Sequence, residues 1–115
     1  MIAMIEAEFL SYGGGLVGFS VSGHADAGVF GRDIVCAAVS SAVMLTANTI
    51  TDYLFCKADV KNQGNKIMLV LKDPDSAMAI AAKQVIASFH NHMHLLAKDS
   101  KGKINVSIRE MRPRK

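Results

Sequence analysis

His24 and Cys36 stand twelve positions apart, with Asp33 three residues before the thiol. A thiolate is a strong nucleophile, and an imidazole titrates near neutral pH, so it can take the thiol proton and later return it to a leaving group. Cys36 attacking a carbonyl with His24 as base and acid is therefore the chemistry this pair can perform. Each residue also has a plainer reading: Cys36 as a small buried hydrophobe, His24 as a hydrogen-bonded residue at a strand end. Their joint placement, at two element ends with a glycine loop between them, makes the dyad a candidate but does not by itself decide against the plainer readings.

The elements around the pair must set its geometry. Asp33 precedes an apolar run, Ile34-Val35-Cys36-Ala37-Ala38-Val39-Ser40, so Cys36 falls in the first turn of a helix. There, free N–H groups and the positive end of the helix dipole favour thiolate. Asp33 can cap that helix or orient the His24 imidazole, and the sequence leaves both open. Between the two reactive residues, the segment 25–32 carries Gly28 and Gly31, which let the backbone bend over a peptide. Val29 and Phe30 are candidates for an apolar substrate groove. Gly28, Val29, Phe30, Gly31 and Ser40 together form the candidate substrate-binding set.

Two apolar runs, Ile2 to Phe9 and Leu16 to Gly23, flank the turn Tyr12-Gly13-Gly14-Gly15 and predict a hairpin. The stretch from Asp33 to about Tyr53 is apolar nearly all round, which predicts a helix buried on most sides. Cys56–Asn62 and Lys66–Leu71 flank Gln63-Gly64-Asn65 as a second hairpin. Asp73 and Pro74 predict a helix from Asp75 to about Lys98, amphipathic through Met78, Ala81, Ala82, Val85, Ile86, Phe89, Met93 and Leu96. Lys103–Ile108 alternates as a last strand. The order β-β-α-β-β-α-β defines an α+β fold, one sheet packed with two long helices, in a single domain over residues 1–115. Strand order is not readable at this level.

Composition narrows the class. The chain has 115 residues and two cysteines, enough to bury a core without staples. Lacking a CxxC pattern or an export signal, the cysteines read as reduced cytoplasmic thiols. The apolar run from Ile34 to Tyr53 is too short and too rich in Ser and Thr for a membrane span. A net charge of +3 rests largely on the tail Arg109, Arg112, Arg114 and Lys115, which reads as solvated rather than as a direct nucleic-acid contact. His90 and His94 share a helix face with His92 between them, but further ligands are not evident and Asn91 stands where a metalloprotease would carry its glutamate. They are expected to be solvated; no metal and no cofactor is expected. Cys56 is expected to fill the core or an edge, and Met44, Met68, Met78 and Met93 to be packing residues.

The triplet Gly23-His24-Ala25 and, after the glycine loop, Gly31-Arg32-Asp33-Ile34-Val35-Cys36-Ala37-Ala38-Val39-Ser40 resemble the ribosomal-processing cysteine protease family, Prp. The resemblance implies a small dimeric cytoplasmic cysteine protease that removes the N-terminal extension of large-subunit ribosomal protein twenty-seven, cutting after a pair of aromatic residues. It implies Cys36 as nucleophile and His24 as base and acid, with Asp33 a matching motif residue. The partners implied are the N-terminal segment of that ribosomal protein and a second copy of the chain. The alternative function is a noncatalytic ribosome-binding or assembly factor that uses the basic tail on phosphate.

Overall fold

The computed structural model describes residues 4–23, 33–100 and 102–111. Strands β1 (Ile5–Tyr12) and β2 (Gly15–Ser22) form the first hairpin. Its two-residue turn, Gly13-Gly14, has φ of 60° and 85°, the doubly left-handed geometry that follows the twist of the strands and that glycine adopts without strain. Helix α1 (Asp33–Asn48) runs on as a π-helical turn, Thr49–Tyr53. Then come β3 (Ala58–Asn62), β4 (Lys66–Leu71), α2 (Ala79–Asp99) and β5 (Ile104–Glu110). The expected α+β architecture is the one observed.

The sheet order is β3-β4-β2-β1-β5. β5 lies parallel to β1, and every other pair is antiparallel. Register aligns Phe9, Phe19 and Leu69 across β1, β2 and β4, with Ala7, Val21 and Ile67 one row away. All six are buried. Phe89 of α2 packs edge-on to Phe9 and Phe19, with ring centroids 5.4 and 4.9 Å apart, an arrangement that ring quadrupoles favour.

α1 turns only one side inward. Cys36, Val39, Val43, Thr46 and Ile50 are buried at helical spacing, whereas Ile34, Met44 and Leu45 are 76%, 52% and 69% exposed. The expectation of a helix buried on most sides is corrected: α1 lies at the flank of α2, and nothing in the described chain covers its outer face. Thr46, Thr49 and Thr51 donate their hydroxyls to the carbonyls of Ala42, Leu45 and Ala47 at 2.7, 2.7 and 3.0 Å. These hydroxyls are thus satisfied within an apolar helix, by a bonding pattern that tends to bend it.

α2 starts four residues later than the Asp73-Pro74 signal implies. Ser76 donates both its amide and its hydroxyl to the Asp73 carbonyl, at 3.2 and 2.8 Å, closing a local turn that competes with the helix. Asp73 therefore accepts through its backbone and does not cap α2. Among the methionines, Met93 is fully buried, while Met44 and Met78 are more than half exposed. The expected packing role fails for those two.

Candidate active site

β2 ends where the reactive segment begins. The Gly23 N–H donates to the Asn65 carbonyl at 2.9 Å, one step beyond the last β2–β4 pair, Ser22 with Lys66. Gly23 then takes φ of 86°, a left-handed step at the last described residue of this segment. A Cβ at this position would lie 2.9 Å from the Met4 carbonyl oxygen and 3.4 Å from the Ile5 Cα. Glycine is required here twice, for the left-handed φ and for the close approach. Residues 24–32 lie outside the described residues, so His24, Gly28, Val29, Phe30 and Gly31 carry no structural account.

The chain is described again from Asp33, the first residue of α1. Its side chain is outside the described part, so neither the capping nor the orienting role is tested. Cys36 is the fourth helical residue and is 6% exposed. The first four N–H groups of a helix, counted from its cap residue, lack acceptors within it, and Cys36 places its thiol just beyond them. Its side chain lies on the inner face of α1 ahead of Val39 and Val43, and joins the main core. Ser40 stands one turn on, half-buried, on the same side of the helix as the thiol.

Cys56, the other thiol, is also buried and unpaired. Burial, together with the Asp73 carboxylate, raises its pKa above the usual thiol range, the opposite of what a nucleophile needs. Cys56 behaves as the sequence suggests, filling the core. The histidine face on α2 does not behave as expected. His90 is half-buried, its ring packs edge-on to Phe9 at 4.8 Å and to His94 at 4.7 Å, and its Nε2 is buried without a hydrogen-bond partner. Burial lowers the imidazole pKa below its ordinary value, and His94 pushes the same way. Solvation is thus corrected for His90. No group of three or more metal-ligating side chains occurs among the described residues.

Two features of the surroundings were missed from sequence. One is Asn65, read only as a hairpin turn; a backbone contact from another hairpin leaves no local signal. The other is the outer face of α1. It borders a groove of about 620 Å³ between α1 and α2, lined by Ala42, Leu45, Val85, Phe89, His92 and Leu96 among others. Its signal was present in the sequence, because no charged residue occurs from Ile34 to Thr51. Among the described residues one helix, Ile34–Tyr53, is long and apolar enough to cross a membrane by length and composition, which corrects the expectation that this run is too short, and 28% of its most apolar window is buried within the chain.

Cys36 and Cys56 are equally buried, at 6% exposure, and what sets Cys36 apart is its place in the first turn of a helix, where the helix dipole favours thiolate. The family profile for cysteine protease Prp matches residues 4–105, and the chain belongs to that family. A comparison with curated proteins gives no significant match. Among solved structures, the chain is similar to SMU.848 from Streptococcus mutans, with 26% identity, a TM-score of 0.80 and coverage of 95% of this chain and 97% of that one. It is also similar to the essential ribosomal processing protease Prp from S. aureus in complex with a substrate peptide. That match has 20% identity, a TM-score of 0.81 and coverage of 92% of this chain and 100% of that one. The same S. aureus protease bound to a covalently linked product peptide matches with a TM-score of 0.77, again at 20% identity, covering 92% of this chain and 100% of that one. At 20% identity these two likenesses establish the fold.

Proposed function

We propose that this protein is a cysteine endopeptidase that removes the N-terminal extension of large-subunit ribosomal protein twenty-seven, cutting after an aromatic pair and so supporting ribosome assembly. The observation that carries the reading is the position of Cys36, a buried thiol in the first turn of α1 inside the matched family region. A free thiol is only a few per cent thiolate at pH 7. A helix N-terminus contributes roughly 0.3–1 kcal/mol to an anion near it, less than the roughly 2 kcal/mol that even half-ionisation of an ordinary thiol at neutral pH requires at about 1.4 kcal/mol per pKa unit. The remainder has to come from a cation, and His24 is the residue the motif supplies.

In this reading His24 takes the Cys36 proton and the sulfur attacks the scissile carbonyl. Unpaired N–H groups at the start of α1 receive the oxyanion. The tetrahedral adduct then collapses and the C–N bond breaks. His24 delivers its proton to the departing amine, and Cys36 is left as a thioester. Water, deprotonated by His24, attacks the thioester and releases the acid product and the thiol. Asp33 is a supporting residue, and Gly28, Val29, Phe30, Gly31 and Ser40 contact the peptide. The enzyme acts in the cytoplasm, where its two unpaired cysteines stay reduced.

The working form is a homodimer. Supporting this are the uncharged outer face of α1, with Ile34, Met44 and Leu45 exposed, and the groove beside it. Such a face suits its own copy, because a two-fold pairing brings no like charges together. The test is incubation with a peptide spanning the aromatic pair, with products read by mass spectrometry. Cleavage after the pair by wild type and not by Cys36→Ala is expected; cleavage by both proteins sinks the assignment.

A further inference from the structure

The three histidines of α2 divide by face. His90 packs against Phe9 of β1 with His94 beside it, at ring-centroid distances of 4.8 and 4.7 Å. His92 lies on a different side of the helix, where it lines the groove between α1 and α2 with Leu45, Thr46, Thr49, Ser88 and Leu96. It is exposed and has no hydrogen-bond or ion-pair partner among the described residues. Every other side chain lining the groove is apolar or a hydroxyl. The Thr46 and Thr49 hydroxyls already donate to the Ala42 and Leu45 carbonyls, so toward the groove they serve as acceptors. An acceptor hydroxyl suits a neutral imidazole N–H but supplies no negative charge to hold an imidazolium. Nor do the helices supply one. α1 carries no charged residue from Ile34 to Thr51, and α2 carries no Asp, Glu, Lys or Arg from Gln84 to Ala97. The charged residues that bound these stretches, Asp52, Lys83, Lys98 and Asp99, do not line the groove.

We propose that His92 makes dimerisation pH-dependent: the imidazole enters the interface neutral, and its protonation separates the two copies. This inference rests on the proposed homodimer face of α1 and its groove, and adds the regulation of that face. Covering the groove with a second copy takes water away from His92. That costs a neutral ring little and a cation much, and two-fold symmetry applies the cost twice. Two separate chains therefore bind more protons than the dimer does, so Kd rises as pH falls. For two imidazoles that titrate at the ordinary value of about 6.5 when free and stay neutral when covered, the rise between pH 7.5 and 5.5 is about tenfold for each and about a hundredfold for the pair.

The experiment is sedimentation velocity over a concentration series at pH 7.5, 6.5 and 5.5, with far-UV circular dichroism checking at each pH that the chain is folded. It compares wild type, His92→Gln, His90→Leu and Leu45→Ala. The wild-type Kd should rise between about tenfold and a hundredfold from pH 7.5 to 5.5. In His92→Gln, whose side chain is polar but does not titrate in this range, Kd should stay within about twofold. His90→Leu alters the ring that faces Phe9 and should keep the wild-type rise. The inference is overturned if the wild-type dimer has the same Kd at all three pH values, if His92→Gln keeps the rise, or if His90→Leu abolishes it. A wild type that is monomeric at pH 7.5, or a dimer whose Kd ignores Leu45→Ala, overturns the interface itself and this inference with it. If His92→Gln fails to dimerise at any pH, His92→Leu replaces it; a flat profile is expected, and a retained rise overturns the inference.

Discussion

Leu45 offers the sharpest quantitative test of the dimer. It is 69% exposed on the outer face of α1 and borders the α1–α2 groove. Burying a whole leucine side chain stabilises by about 1.5–3 kcal/mol, so covering the exposed two-thirds is worth roughly 1–2 kcal/mol. A two-fold interface counts the residue twice. Leu45→Ala should therefore weaken dimerisation by roughly 2–4 kcal/mol less the small share alanine retains, a ten- to thousandfold rise in Kd at about 1.4 kcal/mol per decade. The monomer should be unharmed, because the side chain contributes little to its own core. Sedimentation velocity over a concentration series reads the change directly. Ile108→Ala serves as a comparison, since Ile108 is 54% exposed on the edge strand β5 and lies away from α1. A dimer Kd unchanged by Leu45→Ala, or shifted equally by Ile108→Ala, refutes the assignment of this face.

Other outcomes follow from the same structure. Phe55 holds φ of 51° with its ring 73% exposed, so Phe55→Gly relieves a left-handed strain of about 1–2 kcal/mol against roughly 0.5–1 for glycine's extra unfolded-state freedom. A small rise in thermal midpoint is expected, and a fall contradicts it. At Gly18 a Cβ would stand 2.6 Å from the Leu69 carbonyl oxygen; Gly18→Ala should destabilise by about 1–3 kcal/mol, read by urea unfolding. His90 has a folded-state pKa below its ordinary 6.5, so the unfolded chain binds the proton first as pH falls. Stability should then drop as the pH falls through 6.5 toward the lower folded value, with the penalty complete below it. His90→Leu should flatten that part of the wild-type urea midpoint profile between pH 7.5 and 5.5, and an identical profile in both proteins would rule His90 out as its source.

The sequence carried the element order because each signal was local. Gly13-Gly14 set one turn, Gln63-Gly64-Asn65 another, and Val17, Phe19 and Val21 alternated on one face of β2. Strand order and the parallel β1–β5 pairing were beyond reach, since register between Ile5 and Ile104 depends on contacts a hundred residues apart. The start of α2 was misread because Asp73-Pro74 looks like a cap until Ser76 is seen to bond back to it. For the site, the motif around His24 and Cys36 was visible, and the structure explains part of it: Gly23 has no space for a side chain, and Cys36 lies in the first helical turn. The exposed face of α1 was misjudged because an uncharged helix looks the same in sequence whether its own chain or a partner covers it.

The most direct test of the central claim is to trap the acyl-enzyme. Rapid acid quenching of wild type with an aromatic-pair peptide, followed by intact-mass and peptide-mapping spectrometry, should show a thioester adduct of the N-terminal fragment on Cys36 and none in Cys36→Ala. An adduct on Cys56, or peptide cleavage that persists in Cys36→Ala, would contradict it.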